Sequence, residues 1–127
     1  MKYNHLAVNI IKKGLSNVDF SKLDSTSKKE MLTKVSDLLL KEGKVKEAVE
    51  ALILCNNQEK LTEVGDYFLR QNKFDNAALF LIPTKEHGRL TYLGFICIRE
   101  GMYKIALEIY RALGDKTMAE FIEKNFI

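Results

Sequence analysis

The chain has 127 residues, 46% hydrophobic and 29% charged, with a formal net charge of +3, a balance that fits one ordinary globular domain and is far from the clustered basic surface that displaces counterions from many phosphates. Two cysteines without a CxxC spacing, Cys55 and Cys97, exclude a disulfide framework. No apolar run approaches the roughly 20 residues that cross a bilayer, and the start MKYNHLAVNIIKKG lacks the uncharged core and cleavage site of a signal peptide, so a cytoplasmic protein is expected.

Three stretches align without a gap at a spacing of 29 residues: LTKVSDLLLKEGKVKEAVEALILCNNQEK from Leu32, LTEVGDYFLRQNKFDNAALFLIPTKEHGR from Leu61 and LTYLGFICIREGMYKIALEIYRALGDKTM from Leu90. Matches fall at Leu32, Leu61 and Leu90; at Val35, Val64 and Leu93; at Leu40, Leu69 and Ile98; and at Ala48, Ala77 and Ala106. Identity at constrained positions, with drift between them, marks a recurring packing unit.

In chain order, subtracting 29 from the first copy sets Leu6 on Val35, Ile11 on Leu40, Lys12 on Lys41 and Gly14 on Gly43, which predicts a decayed first helix over residues 3–13. A short second helix is predicted from Asn17 to Leu23. The stretch DSTSKKE then opens the next helix, with Ser27 as N-cap and Glu30 reaching back from three residues on in a capping box. Inside each copy the apolar spacing reads helix, turn, helix. In the second, Leu61, Val64, Gly65, Phe68 and Leu69 follow the i, i+3, i+4, i+7 rule for one helix face, Gln71 to Lys73 interrupt it, and Phe74, Ala77, Ala78, Leu81 and Ile82 restart it.

The turns fall at Gly43, Asn72 and Gly101, residue types that take a positive φ at a helix C-terminus at little cost. Pro83 ends the second helix of the middle copy by denying it a donor. Gly65 and Gly94 lie in helix interiors, where Gly costs about 1 kcal/mol relative to Ala, and a close crossing against Ala77 or Ala106 of the partner helix is the predicted compensation. A last helix carries the stripe Ala119, Ile122 and Phe126 and covers the open apolar edge.

Catalytic patterns are missing. His5 and His87 are the only histidines and read as surface or capping residues, without metal-ligand spacing. Cys97, in LGFICI, reads as a small buried hydrophobe. Asp37 and Asp66 stand one repeat apart on exposed faces, without the desolvation that a general acid/base pair needs. No enzyme, cofactor or metal centre is expected.

The residues of the second copy, Leu61, Val64-Gly65 and Phe68, then Asn72, Phe74, Ala77 and Leu81, resemble the tetratricopeptide repeat, and the third copy matches with Leu90, Leu93-Gly94, Gly101, Tyr103, Ala106 and Tyr110. The first copy departs at Ser36 and Val45, and the third carries Cys97 in place of the aromatic. The family's period is about 34 residues, and the shorter unit here is also similar to the hairpins of clathrin-type and coatomer-type solenoids. The resemblance implies an all-α fold: a right-handed α-solenoid of antiparallel helical hairpins, with about three full repeats. As one domain over residues 1–127 it divides into a degenerate N-terminal hairpin (1–27), repeats over 28–60, 61–89 and 90–118, and a capping helix over 119–127.

One surface column stands out: Lys12, Lys41, Arg70 and Arg99, each 29 residues from the next. It reads either as a row of cations for an acidic ligand or as helix-terminal cations that offset the dipole by roughly 0.3–1 kcal/mol each. The resemblance implies a ligand-binding concave face at Thr33, Lys34, Asp37 and Lys41; Thr62, Glu63, Asp66 and Arg70; and Thr91, Tyr92, Phe95 and Arg99. Tyr92 and Phe95 break its polar pattern, as a binding anchor, or by packing against the terminal helix or widening the core. The expected function is a protein-protein interaction module or scaffold that binds an extended or helical, acidic protein segment in a groove made by Lys41, Asp66, Arg70, Thr91, Tyr92, Phe95 and Arg99. RNA or single-stranded nucleic acid on the basic column is the alternative partner, and self-assembly through the chain's apolar ends is a third reading; membrane insertion is not expected.

Overall fold

Helix boundaries in this chain follow from where its backbone turns left-handed. The computed structural model describes residues 3–127; residues 1 and 2 of the predicted N-terminal hairpin lie outside the described residues. Among the described residues there are eight α-helices and no strand: α1 (Asn4–Lys13), α2 (Ser25–Lys41), α3 (Val45–Leu54), α4 (Gln58–Arg70), α5 (Phe74–Leu81), α6 (His87–Arg99), α7 (Tyr103–Ala112) and α8 (Lys116–Phe126). Apart from Tyr3, every positive-φ residue falls in one of two columns spaced by 29: Gly14, Gly43, Asn72 and Gly101, or Asn56, Lys85 and Gly114. The first column closes α1, α2, α4 and α6. The amides of Lys44, Lys73 and Met102 then donate back to the carbonyls of Leu39, Phe68 and Cys97 at 2.9, 3.0 and 2.7 Å, satisfying groups that a helix end otherwise leaves unpaired.

The second column closes α3, α5 and α7. After α3 and α7 the amides of Asn57 and Asp115 donate to Leu52 and Tyr110 at 3.0 and 2.9 Å. After α5, Pro83 lacks a donor and the chain tightens instead into a 3₁₀ turn over Ile82–Thr84 that ends on left-handed Lys85. The predicted turns at Gly43, Asn72 and Gly101 are found as expected, and the second set repeats at the same spacing.

The chain forms two compact units, Met1–Leu61 and Thr62–Ile127. In the first, α1 packs on α2 and α2 on α3, around Ala7, Ile10, Leu32, Val35, Leu39, Ala48, Ala51 and Leu52. Ser36 is buried there, and its hydroxyl donates to the Ala48 carbonyl at 3.1 Å, so the polar group has a partner. Asn57 accepts from the Lys60 amide at 3.1 Å, which caps α4, and its own amide donates to Thr33 Oγ1 at 2.9 Å.

In the second unit α6 packs on α7, α7 on α8 and α5 on α6, around Val64, Phe68, Ala77, Phe80, Leu81, Leu90, Leu93, Cys97, Ala106 and Ile109. Leu32, Leu61 and Leu90 are each 0% exposed, and full burial of such a side chain contributes about 1.5–3 kcal/mol. The columns of Val35 and of Ala48 are buried likewise, whereas Leu40, Leu69 and Ile98 sit half-buried at the edge.

Three expectations are corrected. Asn17 to Leu23 is not a helix: a single 3₁₀ turn, Leu15–Asn17, gives way to extended Val18. The Asp19 carboxylate accepts from the Ser21 amide at 2.9 Å, a local bond that competes with helix formation. The cap of α2 is Asp24, which accepts from the Ser27 amide at 2.7 Å, so Ser27 is a donor inside the first turn and the helix begins at Ser25. The C-terminal helix begins at Lys116, capped by Asp115 accepting from Met118; Ala119 and Ile122 are buried, but Phe126 remains 47% exposed, stacked on Tyr103 at 4.4 Å.

Gly65 and Gly94 are close-approach residues, against partners other than Ala77 and Ala106. A Cβ on Gly65 would lie 2.5 Å from Leu81 Cγ and Cδ2, and one on Gly94 would lie 3.1–3.2 Å from the Tyr110 ring and Ile109. Leu81 is fully buried and has no room to yield. Overpacking a filled core costs about 1–3 kcal/mol, while Ala returns about 1 kcal/mol of helix propensity. Gly65→Ala is therefore expected to lower stability by up to about 2 kcal/mol and by more than Gly94→Ala, which should stay within about 1 kcal/mol of the parent, in urea unfolding followed by circular dichroism. Equal losses would show that the crossing at Leu81 is not the tighter one.

Candidate functional site

α4 and α6 carry the same register, so each closes on an arginine in its last turn, Arg70 and Arg99. Both are exposed. With Asp66, Leu69, Asn72, Phe74, Tyr92 and Ile96 they line a depression of about 370 Å³ on the second unit. Leu69, Ile96 and Phe74 form an apolar floor, Asn72 turns the chain at its edge, and the two guanidinium groups carry its positive charge.

The one carboxylate in the depression is engaged. Arg89, on the first turn of α6, donates from Nε to Asp66 Oδ1 at 2.8 Å and from Nη2 to Asp66 Oδ2 at 3.0 Å, a two-pronged geometry that suits guanidinium and carboxylate. Arg89 also donates from Nη1 to Glu86, the residue that precedes α6. These hydrogen bonds, those to Asp66 foremost, raise the Arg89 pKa above its ordinary range. Asp66 is therefore neutralised from one side, whereas Arg70 and Arg99 have no ion-pair partner among the described residues.

The same pair recurs one repeat earlier. Lys60 Nζ lies 3.3 Å from Asp37, and adding 29 to both numbers gives Arg89 and Asp66. Adjacent first helices are thus tied by an acid on one and a cation 23 residues later on the next. Sequence reasoning missed this ladder, although its signal, Asp at 37 and 66 with a cation at 60 and 89, is present in the register.

Of the predicted groove residues, Asp66, Arg70, Tyr92 and Arg99 line this depression. Thr91 and Phe95 are exposed on the neighbouring surface of α6, with Tyr92 61% and Phe95 65% exposed, so the reading of these two rings as core is set aside. Lys41 belongs to the first unit, exposed in the last turn of α2, where Glu42 pairs with Lys44 and not with it. Lys12 likewise ends α1. A separate depression of about 740 Å³ on the first unit is lined by Thr33, Lys34 and Asp37 together with Lys29, Glu30, Cys55 and Asn57. Its acids and cations alternate, and Glu30 and Lys34 are engaged in interactions of their own.

Among the described residues no three His, Cys, Asp or Glu side chains stand close enough to hold a metal ion, and no helix is long and apolar enough to cross a membrane. No family model, curated protein or solved structure matches this chain.

The two thiols differ in environment. Cys97 is fully buried, and loss of solvation pushes its pKa up to about 11. Cys55 is half-buried and also raised, by desolvation first. A raised thiol pKa means less thiolate at pH 8, and access then decides reactivity. In the native protein a disulfide reagent at pH 8 is expected to label Cys55 slowly and Cys97 only after unfolding. The sign for stability follows: Cys97 contributes fully below its ordinary value of 9.0, and that contribution is lost as pH rises toward about 11, because the unfolded thiol ionises first. Rapid native labelling of both thiols would contradict the burial of Cys97.

Proposed function

We propose that this chain is a tetratricopeptide-like helical-repeat protein of the cytoplasm, acting as an interaction module or scaffold, and that its second unit binds an acidic protein segment, extended or helical, across α4 and α6. Repetition supports the first half of the reading: buried columns and left-handed turns both return every 29 residues. One observation carries the second half. Arg70 and Arg99 flank a depression whose only carboxylate is held by Arg89, so two guanidinium groups with free donors face solvent above an apolar floor. Carboxylates on a ligand satisfy such donors with charge-assisted bonds, and Tyr92 supplies a ring with two rotatable bonds and little entropy to lose.

A polypeptide fits better than a nucleic acid. The acids Asp37, Glu63 and Asp66 interleave with the cations along the first helices, which suits a partner of mixed chemistry and opposes a continuous polyanion. The decisive measurement uses fluorescent 12-residue acidic peptides, with matched peptides carrying Gln and Asn in place of Glu and Asp, and a single-stranded oligouridine. The acidic peptides are expected to bind, and Arg70→Ala with Arg99→Ala to weaken them at least about tenfold while the far-UV spectrum stays unchanged. Arg89→Ala, which removes neither guanidinium from the depression but releases Asp66 into it, is expected to weaken the same peptides by a few-fold through repulsion. Preference for oligouridine with steep salt dependence, or peptide binding indifferent to Arg70 and Arg99, would overturn the reading.

A further inference from the structure

The ladder of ion pairs stops at α6. Asp37 with Lys60 and Asp66 with Arg89 hold equivalent places, and the next step of 29 puts Phe95 and Met118 there. An acid and a cation are replaced by a ring and a thioether, and Phe95 is 65% exposed. Tyr92 stands one turn away on the same helix, and 29 residues on from Tyr92 is Phe121, 54% exposed on α8. The register that sets Tyr92 beside Asp66 and Arg70 gives Phe121 the equivalent place relative to Phe95 and Arg99.

Tyr92 and Phe95 stay outside the buried face of α6, and Phe121, edge-on to Phe126 of its own helix at 6.0 Å, is still more than half exposed. α6 buries Leu90, Leu93, Ile96 and Cys97, and α8 buries Ala119 and Ile122. Exposed apolar residues scattered singly are ordinary, but Tyr92 and Phe121 share one register column on α6 and α8, with Phe95 one turn from Tyr92, and exposed rings grouped by the register mark a contact surface. The patch is continuous in the register with the cationic depression, since Phe95 and Arg99 lie one turn apart on α6, about 6 Å along its axis. An extended chain covers that distance in about two residues.

We infer that the bound segment has two parts, a run of acidic side chains over Arg70 and Arg99 and, within about two to four residues of it, aromatic or branched aliphatic side chains on the rings of Phe95 and Phe121. This rests on the reading that the second unit binds an acidic segment, and it adds the apolar anchor and its spacing. Charge complementarity decides the occupant. A purely apolar partner would leave both guanidinium groups without acceptors, and a purely acidic one would leave the rings in water. A second copy of this chain carries a formal charge of +3, and mutual repulsion opposes its approach to Arg70 and Arg99.

The test is selection of randomised 12-residue displayed peptides on the full chain, followed by anisotropy with the synthetic winners. Enriched sequences are expected to join acidic residues to aromatic or aliphatic ones at that spacing. Phe95→Ser with Phe121→Ser is expected to weaken them about tenfold or more, and Phe95→Tyr to retain most of the affinity; both side chains are more than half exposed and Phe121 gives up only its edge contact with Phe126, so the far-UV spectrum should stay that of the folded parent. Winners that are acidic throughout and indifferent to Phe95 and Phe121 but sensitive to Arg70 and Arg99 would overturn this inference and leave the proposed function standing. Winners without acidic residues, or none, would sink both. Concentration-dependent sedimentation abolished by Phe95→Ser with Phe121→Ser would assign the rings to a second copy and likewise overturn it.

Discussion

Everything in this fold hangs on where the backbone is allowed to turn left-handed. An L-residue with a side chain loses about 1–2 kcal/mol in that conformation, so the chain can reverse cheaply only where Gly or Asn stands. Gly14, Gly43, Asn72 and Gly101 supply one set of reversals and Asn56 and Gly114 most of the other. Lys85 is the exception, and it follows the one proline, whose 3₁₀ turn over Ile82–Thr84 delivers the chain into that geometry. Because the reversals recur at a fixed interval, helices begin at equal intervals, at Gln58, His87 and Lys116, and the side chains of the Leu32 and Ala48 columns return to equal depth.

That constraint reaches the surface as well as the core. First helices that stop in register must present their last-turn side chains in equivalent places, and Arg70 and Arg99 are the instance the second unit shows. A cation there offsets the helix dipole by roughly 0.3–1 kcal/mol without using its hydrogen-bond donors. Stabilising the helix end and binding a carboxylate are therefore compatible roles for one guanidinium. The ion-pair ladder occupies a different column, through Asp66 and Arg89, and so withdraws negative charge from the depression without consuming either helix-terminal arginine.

Legibility in the sequence tracks how local the cause is. The buried columns at Leu61, Val64 and Ala77 and the turns at Asn72 and Gly101 are set within a few residues by apolar spacing and by φ, and they are where the sequence places them. The start of α2 is not fixed by DSTSKKE, which offers several cap donors and acceptors at once, and Asp24, one turn earlier than Ser27, gives the helix an additional turn. Asn17 to Leu23 has helical spacing on paper, but Asp19 folds back on the Ser21 amide. The partners of Gly65 and Gly94 depend on how far one helix slides along another, which no spacing within a single helix reports. The same applies to Arg89, whose carboxylate partner is 23 residues away; only comparison of two columns between copies exposes it.

The column that runs through Ser36, Gly65, Gly94 and Glu123 shows how one position can be met by four different chemistries. Ser36 spends its hydroxyl on the Ala48 carbonyl, Gly65 yields its space to Leu81, and Gly94 yields to Tyr110 and Ile109. Glu123 instead accepts from Arg111 of α7, with both side chains more than half exposed. A helix laid on α8 as closely as Leu81 approaches Gly65 would have to bury that charged pair, at a desolvation cost of several kcal/mol per ion. The face of α8 at Glu123 is thus suited to water, and the apolar surface that α8 offers lies elsewhere, on Phe121 and Phe126. That division puts Phe121 in the same register column as Tyr92, so the last helix continues the proposed binding surface of α6 rather than repeating its packing.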